Sequence, residues 1–158
     1  MSSKSVLAAP LELPNGQTLK NRFAKSAMSE ALGTLAGAPT PELTRLYQRW
    51  AQGGSSLVIT GNVMIDHLAL GEPGNVVIED EANMTGLKQW AEAGSADGTQ
   101  LWMQINHPGK QSPNALSKQP VAPSAIPLAP KLAKFFNAPR ALTEAEIEDL
   151  ISRYATVA

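Results

Sequence analysis

Strand-like and helix-like segments alternate along this chain, and this alternation limits its fold more than any other feature of the sequence. The strand-like segments cover residues 21–28, 56–60 and 100–106. They begin roughly 35–45 residues apart, with a loop and an amphipathic stretch between them, which is the spacing of strand–helix units. Strands separated by helices pair in parallel, because each helix returns the chain to the starting edge of the sheet. The sequence therefore predicts an α/β fold with a parallel sheet.

Capping residues mark where the helices begin. Thr40 is followed by Pro41 and an acid, which is a typical helix start: a capping hydroxyl, then proline at the first helical position. Thr143 and Glu146 have the spacing of a capping box. Between these two helices, an apolar stripe near residues 84–94 predicts another amphipathic helix.

Three segments stand outside this strand–helix order. Residues 9–20 are predicted to form a hairpin, because alternating apolar residues flank Asn15-Gly16, a strong turn pair. Residues 62–80 are predicted to be loop. Residues 107–142 contain seven of the 12 prolines and are predicted to be a long loop after the third strand, either functional or a linker. The chain as a whole, 1–158, is predicted to be part of a single domain.

Composition excludes several classes of function. The formal net charge of −1 gives no electrostatic reason to expect nucleic acid or an anionic membrane surface as a partner. No window approaches the ~18 apolar residues of a membrane span, and the segment Met1–Ala9 lacks the hydrophobic region of a signal peptide. The absence of cysteine removes disulfides, thiolate nucleophiles and cysteine metal sites. The sequence thus predicts a cytoplasmic protein with no nucleic-acid or membrane partner.

The ends of the three predicted strands carry small or uncharged hydrogen-bonding side chains. They are Ser26, Ala27, Met28 and Ser29, then Gly61 and Asn62, then Gln104, Ile105, Asn106 and His107. In parallel α/β folds the chemistry collects at this edge, because the loops that follow the strands all open there. Without an acid at any of these ends a metal site is not favoured, and the glycine-rich dinucleotide and phosphate motifs are missing. The pattern suits a flat, neutral ring, and the Gln104 amide matches an imide such as that of a flavin or a pyrimidine.

Each of these polar residues also has a purely structural explanation. A hydrogen bond to backbone at the strand end explains Gln104 equally well. His107 precedes Pro108 in a turn, where a structural hydrogen bond is favoured over catalysis. His67 is predicted to be a surface residue, and Ser29 has no base beside it in sequence that would make it a nucleophile.

Five segments, in matching order and spacing, resemble the Old Yellow Enzyme family of FMN-dependent NADH:flavin oxidoreductases and ene-reductases. They are Leu19–Phe23, Gly53–Gly61, Gln104–Gln111, Val121–Ser124 and Leu142–Ile147. The family fold is a (β/α)8 barrel with an N-terminal hairpin across its bottom. The resemblance, which runs from about Leu11 to the end, therefore implies a partial TIM barrel: the first three to four βα units and the hairpin.

The resemblance also implies a cofactor and a set of contacts. The cofactor is non-covalent FMN, with NADH or NADPH as reductant and a small-molecule activated alkene as substrate in the complete enzyme. The segment Ser26–Ser29 resembles the one that lines the flavin ring, with Ser29 where members carry Thr or Cys near its reactive edge. Asn62 matches a position whose backbone contacts FMN, and Gln104 resembles the glutamine that binds the pyrimidine edge.

Two positions depart from the family pattern. Ala27 stands where proline is usual, which implies a less rigid loop, and Ala31 stands where one subgroup has a substrate-contacting tyrosine. The family's substrate-binding histidine pair, its tyrosine acid and its FMN phosphate site fall beyond the position of Ala158. No catalytic residue is therefore assigned, and whether this chain is an enzyme by itself stays open.

Two functions are favoured over a third, an independent flavin-binding or carrier module, which would have to bind FMN tightly without the phosphate site. In the first, the chain is the N-terminal portion of an FMN-dependent NAD(P)H oxidoreductase that reduces activated alkenes, and it supplies part of the flavin site beside a C-terminal part. In the second, it is a catalytically incompetent half-barrel fragment that self-associates into a homo-oligomer. The second rests on two open sheet edges and an uncovered apolar interior, which favour pairing with another copy. The last helix would need a fourth strand, so the chain is expected to be part of a larger fold.

Overall fold

The computed structural model describes residues 5–158, so the first four residues of the segment Met1–Ala9 lie outside it. The strands are β1 (Leu11–Glu12), β2 (Thr18–Leu19), β3 (Ala24–Lys25), β4 (Leu57–Met64), β5 (Val76–Val77), β6 (Gln100–Asn106), β7 (Val121–Ala122) and β8 (Arg140–Ala141). The α-helices are α1 (Pro41–Gln52), α2 (Met84–Gly94) and α3 (Glu144–Val157). The main sheet is parallel and is not closed within the described residues, so the predicted fold class, a partial α/β barrel, is confirmed.

The N-terminal hairpin is formed by β1 and β2. Leu11 pairs with Leu19 in antiparallel register. Gly16 has a φ of 85°, in the left-handed region that favours glycine. The Asn15 side chain accepts a hydrogen bond from the Gln17 N–H at 3.1 Å, which closes the turn. The local turn chemistry thus produced the hairpin that the sequence predicted.

Strand β4 is the centre of the main sheet. β3 pairs with the first half of one of its edges and β5 with the second half, while β6 runs along the other edge. Val58 lies opposite Leu101 and Asn62 lies opposite Gln104, with a shift of register between Ile59 and Asn62. Because these strands are parallel, the segments that follow β3, β4 and β6 lie at the same end of the sheet, beyond the C-terminal ends of the strands.

The prediction that residues 62–80 are loop was wrong at both ends. β4 continues through Gly61 and Asn62 to Met64, and β5 lies inside the predicted loop. Gly-Asn is typical of a turn, but here the Gly61 N–H donates to the Tyr47 hydroxyl at 2.9 Å. The strand therefore resumes after a local irregularity and buries Val63 and Met64 completely.

The first predicted strand is shorter than expected, since only Ala24 and Lys25 belong to β3. The residues before it are held by other contacts. The Asn21 side chain accepts from the Phe23 N–H at 2.9 Å, and the Phe23 carbonyl accepts from the Ser56 N–H at 2.9 Å. The third predicted strand, β6, has the expected bounds.

Helices α1 and α2 cover one face of the main sheet and form the core with it. Thr40 caps α1 by accepting from the Leu43 N–H at 3.2 Å, as predicted. Tyr47 packs edge-to-face on Trp50 and Trp90, with ring centroids 4.9 and 5.1 Å away. The buried cluster contains Leu43, Tyr47, Val58, Val63, Val76 and Trp90. Since each large side chain buried here contributes about 1.5–3 kcal/mol, this layer fixes α1 and α2 against β4.

The segment 107–142 is folded against the rest of the chain. Its two short strands, β7 and β8, pair in parallel. The Ser112 hydroxyl donates to the Leu70 carbonyl at 2.7 Å, and the Asn137 side chain donates to the Ser117 carbonyl at 3.1 Å. These bonds tie the segment to the loop after β4 and to itself. Across residues 5–158, no helix is long and apolar enough to span a membrane.

Helix α3 begins with the predicted capping box. The Thr143 hydroxyl accepts from the Glu146 N–H, and the Glu146 carboxylate accepts from the Thr143 N–H at 2.8 Å. Arg140 of β8 adds two bonds to the same carboxylate, at 2.6 and 2.8 Å. The apolar face of α3 is largely exposed: Ile147 by 40%, Ile151 by 57% and Tyr154 by 37%.

The start of α3 should be sensitive to acid. The Arg140 guanidinium and the Thr143 N–H lower the pKa of Glu146 from 4.5 to about 2. A carboxyl with a lowered pKa stabilises the fold above its ordinary pKa, and this contribution is lost as the pH falls from 4.5 to about 2. We expect an NMR titration of the Glu146 carboxyl to show a midpoint near 2, with faster exchange of the first-turn amides below it. Glu146→Gln should remove the pH dependence of that exchange over this range, whereas a midpoint at the ordinary value would contradict the assignment.

Candidate functional site

The segment Ser26–Ser29 follows β3 as irregular backbone. It lies at the C-terminal ends of the parallel strands, which we call the open edge of the sheet. Ser26, Met28 and Ser29 are exposed, and Ala27 is half-buried. The Met28 side chain is 50% exposed, so the segment presents a large apolar group between two hydroxyls. This segment therefore places small hydrogen-bonding groups and one large apolar side chain at the open edge of the sheet.

Asn62 and Gln104 lie opposite each other on β4 and β6. The Gln104 Nε2 donates to the Asn62 Oδ1 at 2.5 Å. Within residues 5–158 the side chain of Gln104 thus bonds to another side chain and not to backbone, which was the structural explanation left open by the sequence. Within residues 5–158, the remaining edges of the pair are the Asn62 Nδ2 donor and the Gln104 Oε1 acceptor. An adjacent donor and acceptor are what a planar imide edge requires.

The segment after β3 lies directly against β4 beside this amide pair. A Cβ added at Gly61 would meet the Met28 carbonyl and the Glu30 carboxylate, so only glycine allows this close approach. Ser29 and Asn62 also line one small cavity, together with Leu43 and Trp90 of the helix-covered core. The structure thus brings Met28 and Ser29 to Asn62, and through Asn62 to Gln104.

Three functional candidates were missed by the sequence reasoning: Lys25, Glu30 and Tyr47. Their side chains form a nearly buried polar cluster on the helix-covered side of the sheet, behind the amide pair. Lys25 and Glu30 form an ion pair at 3.4 Å, and each side chain is 10% exposed. The Tyr47 hydroxyl donates to Glu30 at 2.6 Å. Tyr47 lies on the buried, largely apolar face of α1, and only the need of a buried hydroxyl for a hydrogen-bond partner could have marked it in the sequence.

Burial and charge set the protonation states in this cluster. Burial lowers the pKa of Lys25, and the neighbouring Glu30 carboxylate opposes that change. Burial, with the hydrogen bond to Glu30, raises the pKa of the Tyr47 phenol well above its ordinary value. Tyr47 is therefore a hydrogen-bond donor at any physiological pH.

The two histidines lie outside this arrangement. The His107 Nδ1 accepts from the Gly109 N–H at 3.1 Å, and burial lowers the pKa of His107, so a neutral ring holds the turn as expected. His67 is exposed, with its Nδ1 2.8 Å from Glu79. Asp66 and Glu79 have oxygens near that nitrogen, but Arg153 lies 3.3 Å from Glu79 and 4.0 Å from Asp66. A guanidinium in this position makes the group a surface ion-pair network.

Comparison with known proteins places this chain in a family. The model of the NADH:flavin oxidoreductase / NADH oxidase family matches residues 6–158. NADH-dependent flavin oxidoreductase iliE of Hypocrea jecorina is 36% identical over an alignment of 167 residues, gaps included. The alignment covers 94% of this chain and 41% of that protein. NADH:fumarate oxidoreductase of Klebsiella pneumoniae is 36% identical over 156 residues, which cover 98% of this chain and 16% of that protein.

Solved structures agree with the sequence relatives. The Old Yellow Enzyme homologue from Zymomonas mobilis matches with a TM-score of 0.80 and 27% identity, covering 94% of this chain and 42% of that one. Morphinone reductase in complex with tetrahydroNAD matches with a TM-score of 0.79 and 25% identity, covering 96% of this chain and 44% of that one. This chain spans less than half the length of each of these proteins. It belongs to the NADH:flavin oxidoreductase / NADH oxidase family, whose members work with a flavin and NADH.

Proposed function

We propose that this chain forms one wall of the flavin site of an FMN-dependent NAD(P)H oxidoreductase that reduces activated alkenes. The observation that carries the proposal is the Asn62–Gln104 amide pair at the open edge of the sheet, where the segment with the exposed Met28 and Ser29 lies against β4. The chain covers 41% of the iliE relative, so the whole reaction is proposed for a protein that contains this wall and its remaining barrel.

The polar groups of this wall fit the pyrimidine edge of a flavin. Such an edge has an N–H between two carbonyls, so it requires an acceptor flanked by donors. The Gln104 Oε1 would accept from the ring N–H, and the Asn62 Nδ2 would donate to a neighbouring carbonyl. The Ser29 hydroxyl is suited to donate to a flavin oxygen near the reactive edge, where such a bond tunes the reduction potential.

The apolar groups of the wall fit the faces of the same ring. Met28 is 50% exposed, and Trp102 is 43% exposed on the same face of β6 as Gln104. A flavin held by Asn62, Gln104 and Ser29 would supply the hydride chemistry of the proposed reaction, the reduction by a nicotinamide of an alkene conjugated with a carbonyl or nitro group. The contribution of this chain is to bind and orient the ring and to exclude water from one of its faces.

A titration of the chain with FMN tests the proposed site. We expect saturable quenching of flavin fluorescence by the wild-type chain. Gln104→Ala should weaken the affinity about tenfold, because it removes the acceptor and releases Asn62. Gln89→Ala, at an exposed position of α2, is the matched control and should leave the affinity unchanged. An absence of saturation with the wild-type chain, or equal effects of the two variants, would contradict the proposal.

Turnover by the isolated chain is a separate test. We expect no oxidation of NADPH in the presence of FMN and cyclohexenone, measured anaerobically by absorbance. The reason is that the ends of β3, β4 and β6 offer amides, hydroxyls and a thioether, while the nearby Glu30 carboxylate is bonded to Lys25 and Tyr47 and is not placed to protonate the product. A rate that scales with chain concentration would show that this wall alone is catalytic. It would contradict the proposal that the reaction needs the remaining barrel as well.

Self-association is a second candidate property, and a specific observation favours it. Within residues 5–158, β6 pairs only with β4, so its other edge is free. Trp102 and Met103 on this strand are 43% and 44% exposed. An unpaired strand edge next to exposed apolar side chains is suited to pair with a second copy.

Sedimentation velocity distinguishes this property. We expect the wild-type chain to sediment as a dimer or larger species in a concentration-dependent manner. Trp102→Lys should shift it to the monomer, because a charge on the edge strand opposes pairing. Leu35→Lys is the matched control, since Leu35 is 99% exposed in the loop before α1. A monodisperse wild-type monomer would exclude self-association.

A further inference from the structure

We propose that Tyr47, acting with Glu30, is a positioning residue that sets the Asn62–Gln104 amide pair in place from behind the sheet. The inference rests on the proposed function, since its consequence would be a change in flavin binding. It assigns a role to a buried phenol on α1, a helix that carries none of the wall residues.

An extra residue in β4 is what brings the two amides together. Ile59 lies opposite Trp102, yet Asn62 lies opposite Gln104, so three steps on β4 match two on β6. Without this bulge Gln104 would lie opposite Gly61. Because side chains alternate along a strand, the extra residue also turns Asn62 to the face that Gln104 occupies.

A bulge leaves backbone groups without ladder partners, and three side chains supply them here. The Tyr47 hydroxyl accepts from the Gly61 N–H at 2.9 Å. The Thr60 hydroxyl accepts from the Gln104 N–H at 2.9 Å, and the Lys25 Nζ donates to the Ile59 carbonyl at 2.9 Å. Three backbone groups at the irregularity therefore have specific side-chain partners.

Tyr47 also fixes the segment that carries Met28 and Ser29. Its hydroxyl has one proton, which it donates to the Glu30 Oε1 at 2.6 Å while accepting from Gly61. Glu30 directly follows Ser29, so one phenol joins α1, the segment after β3 and the bulge of β4. Glu30 also pairs with Lys25 at 3.4 Å, so its carboxylate contacts both the phenol and the ammonium.

The cluster is placed where solvent cannot replace these bonds. Tyr47 is completely buried, and the side chains of Lys25 and Glu30 are each 10% exposed. The Lys25 Nζ also lies 4.1 Å from the Trp50 ring centre. Loss of the phenol oxygen would therefore leave the Gly61 N–H and the Glu30 carboxylate short of a partner rather than hydrated.

Tyr47→Phe tests the inference, because it removes the hydroxyl and keeps the ring contacts with Trp50 and Trp90. In the flavin-free chain, we expect the hydrogen-exchange rate of the Gly61 amide to increase in this variant. The increase should be about tenfold or more larger than that of neighbouring β6 amides. The side-chain amide NMR signals of Asn62 and Gln104 should shift. Tyr154→Phe, at an exposed position, is the matched control and should change neither.

The effect on the flavin should pass through the amide pair. We expect Tyr47→Phe to weaken FMN binding about tenfold, and this loss should largely disappear when Asn62 is already alanine, because coupled residues are not additive. Glu30→Gln keeps an acceptor for the phenol and should preserve most of the Gly61 protection, whereas Glu30→Ala should lose it. These Glu30 variants decide the question independently if Tyr47→Phe does not fold.

The outcomes separate this inference from the proposed function. Uniformly faster exchange across the sheet in Tyr47→Phe would mean a purely structural role, as would unchanged Asn62 and Gln104 signals, and either result overturns the inference. Additive losses of FMN affinity in Tyr47→Phe and Asn62→Ala would overturn it as well. A wild-type chain that binds no FMN rejects the proposed flavin site, while the exchange and amide signals still decide whether Tyr47 positions the pair.

Discussion

One extra residue in β4, between Ile59 and Asn62, determines which side chains meet at the open edge of the sheet. A regular strand here would direct Asn62 to the helix-covered face, among the apolar side chains of α1 and α2. The bulge turns Asn62 over and places it opposite Gln104. A bulge disrupts ladder hydrogen bonds, so it persists only where other groups satisfy the backbone. The hydroxyls of Tyr47 and Thr60 do so in this chain, and the arrangement of the edge depends on them.

The cluster of Lys25, Glu30 and Tyr47 is better explained by the backbone geometry that it fixes than by a gain in the stability of the fold. An ion pair as buried as Lys25–Glu30 loses much of its hydration, and its attraction repays that loss only with good additional bonds. Apolar side chains of similar volume would stabilise this position as well or better. Apolar side chains would not make directional contacts. The hydrogen bonds of Tyr47, by contrast, link it to one carboxylate oxygen and to one N–H. The cluster therefore specifies a particular backbone path at the cost of some stability.

Sequence patterns predicted the parts of the fold that depend on local chemistry. Thr40 and Thr143 mark the starts of α1 and α3, and the Asn15-Gly16 pair produces the hairpin turn. The extension of β4 was missed because Gly61-Asn62 has the composition of a turn, and what keeps the strand going is a hydroxyl 14 residues away in sequence. The Tyr47–Glu30 bond, across 17 residues, was hidden for the same reason. Periodicity reports which face of α1 is buried, and it carries no information about a polar partner on another element.

The edge and its support are contained within one continuous part of the chain. From the Lys25 ammonium to the Gln104 amide, each polar link described here joins residues of β3, α1, β4 and β6 or the segments directly after them. No contribution from the rest of a barrel is needed to turn Asn62 toward Gln104. Met28 at the same edge, and Trp102 on the same face of β6 as Gln104, are exposed apolar groups that a planar ring would cover. Polar groups fixed in advance beside uncovered apolar surface are what a preorganised half of a binding site requires, because the directional bonds are set before the ligand arrives and burial of apolar area then favours its binding.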